Sequence, residues 1–258
     1  MSERVVVVTG SSGGIGAVLA ERVAKGGARV ALAARRETEL AAVAARCGAD
    51  ALAVVTDVTR RGEVERLLDA TLSRFGHIDV WVNNAGRGIS RPVSELTDDD
   101  FDEMMRVNVK SALYGMQTVL PHFKTQGRGH LINVSSMLGR LPMVVVRSAY
   151  SASKHALNAL TANLRMELAS DFPDIHVSTV MPGVVATEFG VNALHGGMDS
   201  RRIPGAQSAE EIAEVIVDLI EHPRADVYTR PGAREAVARY YAAEDMAAAE
   251  RESGVVRR

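Results

Sequence analysis

Short apolar runs, mostly β-branched, alternate along this chain with longer segments of helical spacing, and no other feature of the sequence limits the fold so strongly. Val5 to Val8, Arg29 to Ala34, Ala51 to Val55, Asp79 to Val82, His130 to Val134 and His176 to Val180 read as strands. Between them Ile15, Leu19 and Val23, then Val64, Leu67, Leu68 and Leu72, and later Ile212, Val215, Ile216 and Leu219 recur at helical intervals. Parallel strands need a crossover of about a dozen residues, nearly always helical, so the pattern predicts an α/β chain with a parallel sheet and helices on both faces. Ligands of such a sheet sit beyond the carboxyl ends of its strands. No Pro/Gly/Ser-rich linker and no repeat interrupts the pattern, which predicts one domain over residues 1–258. Its last part, Arg230 to Arg258, is rich in Ala and charge and reads as a C-terminal helical extension with a frayed tail.

Composition removes several classes of function. A formal net charge of -2 and the lack of any long Lys/Arg block argue against nucleic acid as a partner. The lone Cys47 cannot close an internal disulfide; it reads as a small core residue and fits a reducing, cytoplasmic setting. Val5 to Val8 is too short for the apolar part of a signal peptide, and no run approaches the roughly 20 apolar residues of a membrane-spanning helix. His77, His122, His130, His155, His176, His195 and His222 show no ligand-like spacing, so no metal is expected.

Directly after the first run stands Thr9-Gly10-Ser11-Ser12-Gly13-Gly14-Ile15-Gly16, which leads into the Ile15/Leu19/Val23 helix. Strand, glycine-rich turn and helix form the setting of a pyrophosphate site. Glycines let the backbone turn tightly and approach the anion, whose charge meets the free N–H groups and dipole of the helix start. The spacing is T-G-x-x-x-G-x-G and not G-x-G-x-x-G, and a tight turn without ligand fits the same residues. About 20 residues on, an NAD site places Asp or Glu on the adenosine ribose. This chain has Ala33-Ala34-Arg35-Arg36. An arginine fork pairs with a 2′-phosphate that a carboxylate would repel, so NADP(H) is favoured over NAD(H). The other reading is two solvated arginines opening a helix, with no basic residue inside the glycine turn to assist them.

Tyr150-Ser151-Ala152-Ser153-Lys154 puts a phenol and an ammonium four apart in a segment whose Ala152, Ala156, Leu157, Leu160 and Leu164 read as a helix. Both side chains then share one face. A nearby ammonium favours the phenolate and is expected to lower the tyrosine pKa into a useful acid/base range. Such a pair also arises by chance on helices.

The order of motifs is more specific than any one of them: the glycine turn, Asn83-Asn84-Ala85-Gly86 after the fourth strand, Ser135-Ser136 after the fifth, then Y-x-x-x-K. In this the chain resembles the short-chain dehydrogenase/reductase family, and the likeness runs from Val5 to about Tyr228. The resemblance implies a Rossmann-type doubly wound sheet of about seven parallel strands. It also implies an NADP(H)-dependent oxidoreductase that interconverts a ketone or aldehyde and an alcohol. By the same resemblance Gly10, Ser12, Gly14, Ile15 and Gly16 match the cofactor turn, Arg35 reads the 2′-phosphate, and Asp57 and Val58 hold the adenine. Asn84 and Gly86 lie against the cofactor ribose, and Asn108 is the helical asparagine that holds a water of the proton relay. Tyr150 is the acid/base, and Lys154 is its partner and grips the nicotinamide ribose. Pro182 and Gly183 open a P-G-x-x-x-T turn in which the backbone of Val185 and the hydroxyl of Thr187 fix the carboxamide.

Two adjacent serines compete for the substrate-orienting role. Gly139, three residues on, selects Ser136 by the family pattern, while Ser135 remains the alternative. Ser136 stands fourteen positions before Tyr150, one more than is usual in the family, so Leu141 to Ser148 is expected to carry an extra loop residue. Met137, Leu138, Leu141, Met143, Val144, Val145 and the segment 188–207 predict an apolar small-molecule pocket under a mobile lid. Arg87, Arg91, Arg140 and Arg147 are candidates to meet an acidic group, or else solvated charges. Family likeness further implies a homodimer or homotetramer packed through the helices of Asn108 and Tyr150. A cofactor-binding regulator without turnover is the second class of function compatible with the fold.

Overall fold

A computed structural model describes Met1 and residues 3–252 of the chain; the end of the expected C-terminal extension, 253–258, lies outside the described residues. The apolar runs form strands Val5–Thr9 (β1), Arg29–Ala34 (β2), Ala51–Val55 (β3), Val80–Asn83 (β4), Gly129–Val134 (β5) and Ile175–Met181 (β6). A seventh, Asp226–Tyr228 (β7), is too short to show a period and exists by pairing Thr179 to Met181 with Asp226 to Tyr228. All pairings are parallel and the order is β3-β2-β1-β4-β5-β6-β7. The direction of winding therefore reverses between β1 and β4. A crevice opens there at the carboxyl ends of these strands.

Alternate strand residues serve opposite faces. Val6, Val8, Val30, Leu32, Val80, Val82 and Ile132 pack with helices Gly14–Lys25 (α1), Glu37–Cys47 (α2) and, later in the chain, Ala209–Glu221. Val5, Val7, Ala31, Ala33, Trp81 and Leu131 pack on the other side with Arg61–Phe75 (α3) and two further helices described next. Both faces are covered, which explains why the central strands are apolar throughout instead of alternating with polar residues. Each fully buried Val adds about 1.5 kcal/mol or more of apolar transfer free energy, so an Asp at Val6 or Val7 would open the sheet.

The helix pair on that second face positions the chemistry. Asp98–Met105 (α4) starts in a capping box between Thr97 and Asp100 and runs through a π turn, Arg106–Lys110, into Ser111–Gln126 (α5). Asn108 lies in the π turn, an irregularity that frequently marks a working site. Ser148–Leu168 (α6) carries Tyr150 and Lys154 in its first two turns. Ala209–Glu221 is α7, capped by Ser208 and Glu211. The C-terminal extension is two short helices, Ala233–Tyr241 (α8) and Met246–Glu252 (α9), where a single helix was expected. Tyr241 explains part of its course, since its hydroxyl donates to the Arg140 carbonyl at 2.8 Å.

Candidate active site

The glycine turn is built from backbone. Gly10 has φ 71°, a left-handed conformation, and a Cβ there would lie 2.9 Å from the Ala85 Cα. At Gly16 a Cβ would meet both the Gly10 oxygen and the Asn84 Nδ2 at 2.5 Å, so only glycine lets α1 approach the sheet this closely. Asn84 in turn donates its Nδ2 to the Thr9 carbonyl at 2.8 Å, and the Thr9 hydroxyl accepts from the Asn84 and Ala85 N–H groups at 3.0 and 3.1 Å. The first turn of α1 holds no acidic residue and no side-chain cap, which leaves its N–H groups and dipole directed at the crevice. Ser12 and Ile15 flank that start.

Two arginines follow the end of β2, and the second faces this turn. Arg35 is close enough to Asp57 to help hold that carboxyl below its ordinary range; burial opposes, and hydrogen bonds from Thr59 outweigh it. Arg36, to which sequence reasoning gave no role, crosses to Ser12, donating to its hydroxyl at 3.2 and 3.1 Å and to its carbonyl at 3.0 Å. The doubled Arg was the available signal, because neighbouring side chains at a strand end point to opposite sides. Asp57, whose Oδ1 accepts from the Thr59 N–H and hydroxyl, and Val58 lie beyond β3 on the same side.

On the far side of the crevice Asn108 is buried and uses its amide fully. Its Oδ1 accepts from the Arg87 N–H at 2.9 Å, and its Nδ2 donates to the Arg87 carbonyl at 2.9 Å and to the Ser153 hydroxyl at 3.1 Å. This clamps the chain just after Gly86. A Cβ on Gly86 would sit 3.1 Å from the Asn108 Oδ1 and 3.6 Å from the Lys154 Nζ, which places the three residues in one layer.

Ser136, Tyr150 and Lys154 complete that layer. Ser136 accepts from the Leu138 N–H at 3.1 Å, at the head of the turn Met137–Gly139, and its hydroxyl favours the ionised form of Tyr150. Ser135 turns away, its hydroxyl 3.5 Å from the Lys154 carbonyl, so the two adjacent hydroxyls face different surroundings. Gly139 is needed because a Cβ there would lie 2.7 Å from the Asn158 Nδ2 and 2.9 Å from the Lys154 carbonyl oxygen. The Lys154 Nζ donates to the Val134 carbonyl at 2.9 Å and lies 5.7 Å from the centre of the Tyr150 ring.

The expected acid shift of Tyr150 is reversed in the structure. Burial pushes the phenol up to about 12, against smaller opposing effects of Ser136 and of the Arg147 cation. Burial likewise lowers Lys154 to about 8. Spacing along a helix predicted the neighbours but not how deeply both would be desolvated, and desolvation disfavours each charged form.

The turn Pro182 to Thr187 closes the crevice. The Pro182 carbonyl accepts from the Met137 N–H at 2.8 Å, and Val185 bridges to Gln207, which anchors both ends of the segment that follows. A Cβ on Gly14 would lie 3.5 Å from the Thr187 Cγ2, so this turn faces the glycine turn across the crevice. Beside Gly183, the Arg230 side chain fills the room a Cβ would need. Residues 188–207 fold over Tyr150: Phe189 meets its ring edge-on at 5.5 Å, and Leu194 bridges to Ile89. At the tip, His195 has a positive φ of 63° and shares a hydrogen bond of 2.6 Å with Asp100, at the start of α4.

Glycine turn, paired arginines and the Tyr–Lys layer around one switch-point crevice define a dinucleotide-dependent oxidoreductase. Residues 4–196 match the short chain dehydrogenase family, and the chain belongs to that family. It is 33% identical over 223 residues to an uncharacterized oxidoreductase of Staphylococcus epidermidis, covering 86% of this chain and 93% of the relative. Among solved structures it resembles a short-chain dehydrogenase/reductase from Burkholderia phymatum in complex with NAD, at 27% identity, TM-score 0.84 and 92% coverage of each chain. It also resembles an alcohol dehydrogenase from Thermococcus sibiricus complexed with 5-hydroxy-NADP, at 28% identity, TM-score 0.78 and coverage of 88% and 96%. This kinship supports nicotinamide-dependent redox chemistry and leaves the choice between NAD and NADP to the residues of this chain. Among the described residues no helix is long and apolar enough to cross a membrane.

Proposed function

We propose that the chain is an NADP(H)-dependent reductase that converts a ketone or aldehyde of a largely apolar small molecule to the alcohol, with Tyr150 as the proton donor. The carrying observation is the buried Tyr150 with Ser136 at its hydroxyl and Lys154 one turn further along α6. The residues fit the cofactor: glycines 10, 14 and 16 clear its path, the acid-free start of α1 suits a pyrophosphate, and Arg35 and Arg36 suit a 2′-phosphate. Asp57 and Val58 would hold the adenine, Asn84 and Gly86 the ribose side, and Pro182, Gly183, Val185 and Thr187 the carboxamide end. Bound there, the nicotinamide supplies the hydride.

The protein's own part is orientation and proton transfer. Ser136 and Tyr150 hydrogen-bond the carbonyl oxygen, which polarises the carbonyl and fixes its face. Burial keeps the Tyr150 phenol protonated at neutral pH, so in the reductive direction it stands ready as the acid. Giving up the proton creates a phenolate that the Lys154 ammonium stabilises, and among the described residues Lys154 has one hydrogen-bond acceptor, the Val134 carbonyl, which leaves two N–H groups to hold the ribose hydroxyls. The amide of Asn108 is committed to Arg87 and Ser153, so its contribution is to position the Gly86–Arg87 backbone, and any water of the relay is held by its main chain. Residues 188–207 act as the substrate lid, with Phe189 against Tyr150. The exposed Leu160 and Met166 of α6 and Phe101 of α4 suit a homo-oligomeric contact.

Purified protein supplied with NADPH and a panel of aromatic and alicyclic ketones is expected to consume NADPH in step with alcohol formation. Tight NADP binding with no turnover of any carbonyl would instead favour the silent regulator.

A further inference from the structure

Of the four arginines near the substrate end, three are already neutralised. Arg87 lies 3.4 Å from Glu103, Arg91 2.9 Å from Asp100 and Arg140 2.7 Å from Asp226. Arg147 differs: among the described residues it has no carboxylate within 4.0 Å. Among those residues its guanidinium donates to one acceptor, the Ile89 carbonyl, from Nη1 at 3.0 Å. Four of its five N–H groups are thus left for another partner.

The position is a costly one for an unpaired cation. Arg147 is half-buried, and burial holds its pKa below the ordinary guanidinium value. It also precedes the first turn of α6, where the helix dipole presents partial positive charge. Two glycines make room for it: a Cβ on Gly88 would lie 2.7 Å from Nη1, and one on Gly197 would lie 3.2 Å from Nη2. The guanidinium therefore sits between the segment after β4 and the lid. It stands one helical turn before Tyr150, and its charge acts on the phenol. A surface charge needs neither glycine clearance nor burial.

Resting on the reductase reading, we propose that Arg147 is the anion-binding residue of the substrate site and that the substrate is a keto acid, its carboxylate held by Arg147 and its carbonyl at Tyr150 and Ser136. A carboxylate would complete the free fork of the guanidinium and offset the unfavourable charge at the start of α6. A phosphate dianion fits less well, because Arg87, Arg91 and Arg140 are engaged and offer no second cation. Apolar walls and one half-buried guanidinium together favour an aryl or alkyl keto acid over its neutral counterpart.

Two paired measurements decide the matter. The first compares kcat/KM with NADPH for phenylglyoxylate and 4-oxo-4-phenylbutanoate, each against its primary amide, in the wild type, Arg147→Lys and Arg147→Gln. The acid is expected to be preferred by at least about tenfold in the wild type, as a charge-assisted hydrogen bond allows. The ratio should fall toward one in Arg147→Gln, mainly through KM, and be intermediate in Arg147→Lys. The second titrates 4-phenylbutanoate and 4-phenylbutanamide into the protein–NADP+ complex by calorimetry, which reads binding without turnover. Tighter binding of the acid that is lost in Arg147→Gln supports the site even if no ketone is reduced, in which case the reductase reading alone fails. Equal binding of acid and amide by the wild type, or an acid preference that survives in Arg147→Gln, overturns the proposal while leaving ketone reduction standing.

Discussion

The glycine-turn end of the crevice and its Tyr150 end are held by different forces. At the first, the contacts are close backbone packing and short side-chain-to-backbone hydrogen bonds: Gly16 against Gly10, the Asn84 amide on the Thr9 carbonyl, and a bare helix start. At the second, they are desolvated charges and long-range pairs, namely Lys154 under Tyr150, Arg147 between Gly88 and Gly197, and His195 on Asp100. The first surface is suited to a ligand part that never varies. The second can be retuned by one side chain. Shape changes should therefore dominate at one end, and charge and pH at the other.

The largest expected effect is at Gly16. Gly16→Val puts a side chain within 2.5 Å of Asn84 Nδ2 and the Gly10 oxygen, and α1 must leave the sheet. A loss of about 3 kcal/mol in urea denaturation and abolished NADPH binding by fluorescence titration are expected. A variant that binds NADPH normally would break the comparison at its shape-dominated end. Next come Arg35→Ala and Arg36→Ala, each expected to weaken NADPH by about tenfold while leaving NADH nearly unchanged, since a charged hydrogen bond to the 2′-phosphate is worth about 1.5 kcal/mol or more. Equal losses for both nucleotides would make these arginines surface charges.

Much of the shape-dominated end is legible in the sequence, and little of the other. The first three strands follow from their own residues, and the glycine turn from its glycines. At β4 the strand begins at Val80, one residue later than the run suggested, because the Asp79 carboxylate accepts the Val5 N–H at 2.8 Å. β7 was hidden by its length, and the break between α8 and α9 by uniform Ala and charge. At the substrate end each decisive fact joins residues far apart in the chain. His195 finds Asp100 across the lid, Arg147 is distinguished only by the carboxylate it lacks, and the depth that raises Tyr150 and lowers Lys154 belongs to the assembled layer. The Tyr150/Lys154 spacing announced the pair correctly and misjudged its electrostatics.

Smaller effects probe that charge-dominated end by pH. Lys154 titrates near 8 when folded and at 10.5 when exposed, so the folded state binds fewer protons between those values and stability must rise with pH there. Unliganded protein should gain on the order of 1 kcal/mol from pH 8 to 9, before the raised Cys47 thiol and then the raised Tyr150 begin to act in the opposite sense. Lys154→Met should flatten the slope; an unchanged slope would mean that Lys154 is not desolvated. The smallest effect is expected at His195. The His195 hydrogen bond is the largest influence holding Asp100 down at about 2, burial opposing and Thr97 assisting. That contribution is present above the unfolded carboxyl pKa of about 4 and is lost as pH falls through the folded value. His195→Ala should shift acid unfolding slightly to higher pH, as followed by circular dichroism, with no change at neutral pH in NADPH affinity.

Proton donation by Tyr150 is tested most directly by Tyr150→Phe, assayed with NADPH and any ketone the wild type reduces, with NADPH affinity measured on the same preparation. Turnover should fall by at least about a thousandfold while NADPH binding stays close to that of the wild type. Turnover retained within a few-fold, with the same cofactor affinity, would contradict the assignment.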